Sequence, residues 1–371
     1  MVAEQWELCK SIFEQALDYE GSQQTAFLER TCRDKPNLRE TVEALLVGHR
    51  SNTGFLEPPE LSELQPLQEV LREEAAADPE RVGQYRVLER ISSGGMSRVF
   101  RAVRSDRGIH EIVAVKLIRR SMSTKAGVRR FRQERQMLAN LDHPYIPRLI
   151  DGGTTESGLP FLAMEYVHGL PIDRYCDERG LCITQRLRVF VKVCSAVQYV
   201  HENSVIHHDL KPANILVTDA GVPKLLDFGI SKRQSDEGAP SSAAAVRSPQ
   251  CMTLRYASPE QVRGQTTTTA SDVYSLGVIL YELLTGRSPC NGDRLSRREL
   301  EQGVCDDMPE NPNAAITSTM GPMRARHPDK LRYRFQENLD NILLTTLQKN
   351  PASRYSSVQQ LSDEIGHIWR E

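Results

Sequence analysis

The sequence predicts an α+β chain preceded by a small all-α extension, on three observations. Residues 113–116 (V-A-V-K) and 160–163 (P-F-L-A) carry the short, apolar-rich signature of strands. Longer stretches carry the helical period instead. Val128, Phe131, Leu138 and Leu141 fall on one stripe, and the run starting at Asp272 stays apolar to Leu284. Near the N-terminus only helical spacing is found, with Gly21 and Pro36 as punctuation.

Taken in chain order, residues 1–53 come first. Trp6, Ile12, Phe13, Ala16 and Leu17 form one stripe, Ala26, Phe27 and Leu28 a second, and Leu38, Val42, Leu45 and Leu46 a third. Three short helices are expected, and helices this short need a partner surface to persist. No chemistry is visible in them. They read equally as a small bundle packed on or tethered to the rest, or as a docking or dimerisation module. Residues 54–84, with their prolines, glutamates and an E-E-A-A-A-D-P-E run, read as a linker.

The chemistry lies between Val205 and Gly229, which read V-I-H-H-D-L-K-P-A-N-I-L-V and then L-L-D-F-G. Asp209, Asn214 and Asp227 are spaced to set a base beside a hydroxyl and two oxygen ligands beside magnesium. These two runs resemble the catalytic loop (H-R-D-L-x-x-x-N) and the D-F-G strand end of bacterial eukaryotic-like, Hanks-type serine/threonine protein kinases. The resemblance extends from about Tyr85 to the C-terminus.

It implies a two-lobed protein kinase fold over 85–371. A small β-rich N-lobe with helix C would span about 85–165, a larger helical C-lobe about 166–371, and an activation segment 227–260. It implies ATP and Mg2+ as cofactors, with Mn2+ as a substitute. Asp209 would accept or orient the proton of the acceptor hydroxyl, Asn214 and Asp227 would hold the metal, and Lys211 would steady the transferred phosphate. Lys116, in V-A-V-K with Ala114, would hold the α- and β-phosphates and pair with Glu134 on the amphipathic helix. Residues 164–167 (M-E-Y-V) resemble a gatekeeper and hinge, with the backbone of Glu165 and Val167 meeting adenine and Leu216 beneath the ring.

The nucleotide lid departs from the pattern. Ile91, Ser92, Ser93, Gly94, Gly95, Met96, Ser97, Arg98 and Val99 align with G-x-G-x-x-G-x-V, but only Gly94 keeps its motif glycine. Ser92 and Ser97 are therefore expected to stiffen the lid or hold it further from ATP, because glycine permits close approach and positive φ. His208 stands where the motif has arginine. Loop phosphorylation is accordingly expected to be a less decisive switch, since arginine reads phosphate bidentately and histidine does not. His207 is expected to pack and hydrogen-bond beneath Phe228. Glu260, in S-P-E, would pair with Arg354, and Asp272 would brace the catalytic-loop backbone.

Lys211 and Thr253 match positions that serine/threonine kinases use, so the resemblance implies Ser/Thr acceptors on protein substrates. Ser241, Ser242 and Ser248, in a Ser-, Ala- and Pro-rich stretch over 234–250, are candidate autophosphorylation sites. The expected activity is an ATP-dependent protein kinase in bacterial signalling. The alternative is a pseudokinase or scaffold acting through the helical extension, which the loss of two lid glycines favours and the retention of Lys116, Glu134, Asp209, Asn214 and Asp227 disfavours. A small-molecule phosphotransferase is disfavoured by Thr253 and S-P-E.

Composition adds exclusions. A net charge of -2 gives no reason to propose nucleic acid as a partner. The 8 cysteines show no C-x-x-C pair, as expected for free thiols in a reducing cytoplasm. No apolar run is long enough for a membrane helix, and no leader is legible, so a soluble cytoplasmic chain is expected. The final helices resemble those of bacterial kinases that continue into a membrane helix or repeat domains. Whether this chain is a minimal form or lacks a sensor stays open.

Overall fold

The computed structural model describes residues 78–94, 97–106, 109–227, 254–290, 297–310, 312 and 329–368. It also describes 12, 15, 16, 19, 27, 28, 30–32 and 42. The chain divides into two compact units, 1–77 and 78–371. In the first, Ile12, Ala16, Phe27, Leu28, Cys32 and Val42 form a small apolar core, with Tyr19 stacked on Phe27 at 5.0 Å. Ile12 and Ala16, Phe27 and Leu28, and Val42 come from the three predicted stripes, whereas Cys32 and Tyr19 lie on none of them. The rest of the extension and the linker up to residue 77 lie outside the described residues.

The second unit begins with an antiparallel sheet of order β1-β2-β3-β4-β6-β5. Its strands are β1 (Arg81–Val82), β2 (Tyr85–Ser93), β3 (Ser97–Asp106), β4 (Ile109–Ile118), β5 (Leu149–Thr154) and β6 (Pro160–Glu165). Register explains the burial. Phe100 pairs with Val115 and Val115 with Ala163, so one face buries Phe100, Ala102, Val113, Val115, Leu117, Phe161 and Ala163. The alternate residues Ala114 and Lys116 project to the other face. The sheet starts ahead of Tyr85, inside the segment read as linker, because Val82 is fully buried and pairs with Tyr85.

Between β4 and β5 runs α1 (Lys125–Ala139), the amphipathic helix read from its stripe. Its N-cap Thr124 accepts a hydrogen bond from the Gly127 amide. Gly127 is required by proximity: a Cβ there would overlap the Met122 carbonyl. Phe131 and Leu138 turn inward.

The remaining elements make a helical lobe with a three-stranded sheet. They are β7 (Gly169–Pro171), α2 (Ile172–Glu178), α3 (Ile183–Glu202), β8 (Ile215–Thr218), β9 (Pro223–Leu225), α4 (Pro259–Val262) and α5 (Thr269–Thr285). Then follow α6 (Arg297–Cys305), α7 (Asp329–Thr346) and α8 (Val358–Ile368). The apolar run read as a core helix is α5, which packs against α3 and α7, while α8 covers α3 and α7 in the same core. Each large apolar side chain of that core taken wholly from water contributes roughly 1.5–3 kcal/mol. Gly286, at φ 75°, ends α5 in the left-handed conformation that glycine adopts without strain. Among the described residues no helix is long and apolar enough to cross a membrane. The unit thus has the two lobes that the resemblance implies, a β-rich one carrying a single long helix and a helical one.

Candidate active site

Lys116 leaves the apolar face of β4 and meets two carboxylates. Its Nζ donates to Glu134 Oε1 of α1 at 2.6 Å and to Asp227 Oδ1 at 3.0 Å. Burial alone would discharge such a lysine, but Asp227 and Glu134 outweigh it and raise the ammonium above its ordinary pKa. The same ammonium is the main cause that lowers the Asp227 carboxyl below the usual carboxylate range. For Glu134 burial pushes the other way, and the 2.6 Å contact with a charged lysine keeps it paired. Asp227 sits at φ 46°, a left-handed turn that aspartate tolerates better than most side chains.

The catalytic-loop segment is held from below. Asp272, near the start of α5, accepts the amides of His207 at 2.8 Å and His208 at 3.0 Å. It also meets His201 Nε2 at 2.7 Å. The brace expected of Asp272 is therefore present, and it fixes a backbone that turns left-handed at His208, φ 64°. His208 is itself buried, and its carbonyl accepts from Gln261 Nε2 of α4 at 3.0 Å.

His207 joins this loop to the segment that follows β9. A carbonyl only accepts, so at 3.0 Å from Leu226 O the Nε2 carries the proton, which leaves Nδ1 to accept the Asp209 amide at 3.3 Å. Burial lowers its pKa, consistent with a neutral ring in a structural role. Linkage gives the sign: stability is whole above about 6.5 and is lost as pH falls toward the lower folded value. Between pH 7.5 and 5.5 the melting temperature of the unaltered protein is expected to fall further than that of His207→Gln. Equal falls would contradict this role.

Asp209 Oδ2 accepts Lys211 Nζ at 2.9 Å and Asn214 Nδ2 at 3.2 Å, and the same Nδ2 reaches Asp209 O at 2.8 Å. With its amide nitrogen so used, Asn214 has its side-chain oxygen to offer a metal. An ionised Asp227 with an amide oxygen is a hard-oxygen donor set of the kind magnesium takes. The ammonium groups of Lys116 and Lys211 beside these carboxylates are of the kind that phosphate oxygens accept from. The residues present fit a metal-bound nucleoside triphosphate.

The segment read as the lid is the β2–β3 hairpin. Ser92 pairs with Val99 and Ser93 with Arg98, and the Gly94 amide donates to Ser97 O at 2.9 Å. Gly94 does not take a left-handed φ, and a Cβ there would approach nothing closer than Ser97 O at 3.7 Å. What the glycine provides is open space and not a special turn. Ile91 is 48% exposed. Gly95 and Met96 lie outside the described residues.

Ala114 is buried in β4 opposite Met164, on the face that Lys116 shares. The Glu165 amide is engaged by Arg148 O at 2.9 Å and its carboxylate by Lys224 Nζ at 2.8 Å. Val167 is buried and Leu216 half-buried in β8, paired with Pro171 and Lys224. Glu260 and Arg354 make the expected pair through two contacts, at 2.8 and 2.9 Å.

The structure thus gathers Lys116, Glu134 and Asp227 in one cluster and Asp209, Lys211 and Asn214 in another, tied through His207. Phe228, Gly229, Thr253, Ser241, Ser242 and Ser248 lie outside the described residues. Sequence reasoning missed His201 and Gln261, which secure the catalytic loop. His201 stands in no motif, and Gln261 stands in a Ser258–Gln261 capping box, a spacing that marks a helix start but not a contact with the loop.

Residues 85–365 match the family described as the protein kinase domain. A probable serine/threonine-protein kinase of Corynebacterium efficiens is 35% identical over 288 residues, 76% of this chain and 41% of that protein. PknB of Mycobacterium tuberculosis is 34% identical over 291 residues, 77% of this chain and 43% of that one. PrkC of Bacillus subtilis is 31% identical over 287 residues, 76% and 40%. The chain therefore spans about two fifths of the length of these relatives. The Mycobacterium tuberculosis PknI kinase domain superposes with a TM-score of 0.54 at 23% identity, covering 79% of this chain and 100% of that one, a likeness of fold. Members of the family use ATP and a divalent metal. This chain belongs to the protein kinase domain family, as a bacterial Hanks-type serine/threonine member.

Proposed function

We propose that this chain transfers the γ-phosphate of ATP to serine and threonine hydroxyls of proteins, itself included, in bacterial signalling. The observation that carries the reading is the Lys116 ammonium seated on both Glu134 and Asp227 while Asp209 is held by Lys211 and Asn214. In this reading Asp209 orients the acceptor hydroxyl and takes its proton. Lys116, positioned by Glu134, and Lys211 offset charge on the phosphates. Asn214 and Asp227 hold Mg2+, for which Mn2+ substitutes; the bound ion supplies further charge neutralisation at the phosphates.

Ala114, Val99 and Leu216 enclose the base, the hinge backbone at Glu165 and Val167 orients it, and the lid residues 91–99 cover the phosphates. The protein substrates carry Ser or Thr acceptors, and the N-terminal helices serve as a docking or self-association module. A cytoplasmic setting fits the six described cysteines, all free thiols.

Phosphoamino-acid analysis after incubation with labelled ATP and Mg2+ tests the acceptor class. Label is expected on serine and threonine, with part of it mapping to 227–260. Label confined to tyrosine would overturn the reading.

A further inference from the structure

The lid turn is fastened by a side chain that no motif assigns. Arg119 follows β4 directly, three residues beyond Lys116, and is 1% exposed. Its Nε donates to the Gly94 carbonyl at 2.7 Å and its Nη2 to Ser93 Oγ at 2.7 Å. A guanidinium taken this far out of water needs fixed acceptors, and two of those it has are consecutive residues of the lid. The planar fork reads backbone and side chain together, so it sets both the position and the orientation of the turn. Ser93 occupies a position that the lid pattern leaves unspecified, yet it supplies one of the two acceptors.

We propose that Arg119 is a positioning residue that latches the nucleotide lid through Ser93 and Gly94. The latch holds the hairpin ordered before nucleotide arrives and offsets the loss of glycine at Ser92 and Ser97. Ordering a loop in advance lowers the entropy cost of binding, so the latch acts on nucleotide affinity more than on the chemical step. The inference rests on the reading of residues 91–99 as the nucleotide lid. A residue that only stabilised the fold would shift the melting temperature and leave the ratio of KM to kcat alone.

The test uses the full chain and two variants, Ser93→Ala and Arg119→Lys. Four quantities are measured: the Kd for a non-hydrolysable ATP analogue with Mg2+, the KM for ATP, kcat, and the melting temperature. Ser93→Ala removes one acceptor and leaves the Gly94 contact, and lysine at 119 keeps the charge but cannot span both acceptors. Each variant is expected to raise Kd and KM about ten- to a hundredfold, the worth of one charge-assisted hydrogen bond, with a smaller change in kcat. The double variant is expected to add little beyond the single ones, since both break the same contact. Should Arg119→Lys fail to fold, Ser93→Ala decides alone. The latch is overturned if the unaltered protein binds the analogue and Ser93→Ala binds it equally well. Failure of the unaltered protein to bind it would overturn the reading of the cleft, and the latch with it.

Discussion

Lys116→Met is expected to reduce phosphate transfer by at least about 10²–10³, the cost of removing one preorganised charge from a developing transition state. It is also expected to destabilise the fold, because the buried Glu134 carboxylate and the more exposed Asp227 carboxylate lose the ammonium between them. Glu134 would escape by taking up a proton. With an ordinary value of 4.5, holding it neutral at pH 7 limits that penalty to about 3 kcal/mol. The sign follows. In the variant the folded pKa of Glu134 is raised, so stability is whole below about 4.5 and is lost as pH rises through the folded value. The melting deficit against the unaltered protein is therefore larger at pH 7.5 than at pH 5. A deficit that does not depend on pH would mean that Lys116 does not hold Glu134 ionised.

Arg354→Met is the second large effect, and it falls on stability. Arg354 meets both oxygens of Glu260, and it also donates to Gln348 O at 2.7 Å, Ala270 O at 2.8 Å and Lys349 O at 3.0 Å. Burial would raise the Glu260 carboxyl, but the hydrogen bonds from Arg354 and Ser271 win and lower it. Removing the cation strands a buried carboxylate and three carbonyls, at a cost of about 3–5 kcal/mol. The double variant Glu260→Gln with Arg354→Met leaves no unpaired charge, so its loss is expected to fall short of the sum of the single losses. Denaturant unfolding of the four proteins measures this, and strict additivity would show that the pair is not coupled.

How much was legible depended on whether a residue's partner lay on a recognisable period or in a recognisable motif. Lys116 was readable because V-A-V-K fixes which way it faces, and Glu134 because its helix declares its inner stripe through Val128, Phe131 and Leu138. Glu260 and Arg354 lie 94 residues apart, and no periodicity connects them; only the resemblance paired them. β1, β7 and β9 are two or three residues long, too short to display a period, so the sheet's true start at Arg81 could not be seen.

Arg119 was invisible for a different reason. An arginine after a strand is usually a solvated end, and nothing in the chain order links it to Ser93 and Gly94, 26 and 25 residues earlier. The lid itself was read in part. Two serines at motif positions were evident, whereas the ordinary backbone of Gly94 depends on how the β2–β3 hairpin closes.

The most direct test is transfer of labelled phosphate from ATP with Mg2+ to the chain itself and to a generic protein acceptor, beside Asp209→Asn. Asparagine keeps an oxygen for Lys211 but cannot take the acceptor's proton. Incorporation is expected in the unaltered protein and a fall of about 10²–10⁴ in the variant, with nucleotide affinity retained. Equal incorporation by both proteins would contradict the role of Asp209, and none by the unaltered protein with either Mg2+ or Mn2+ would contradict the kinase activity.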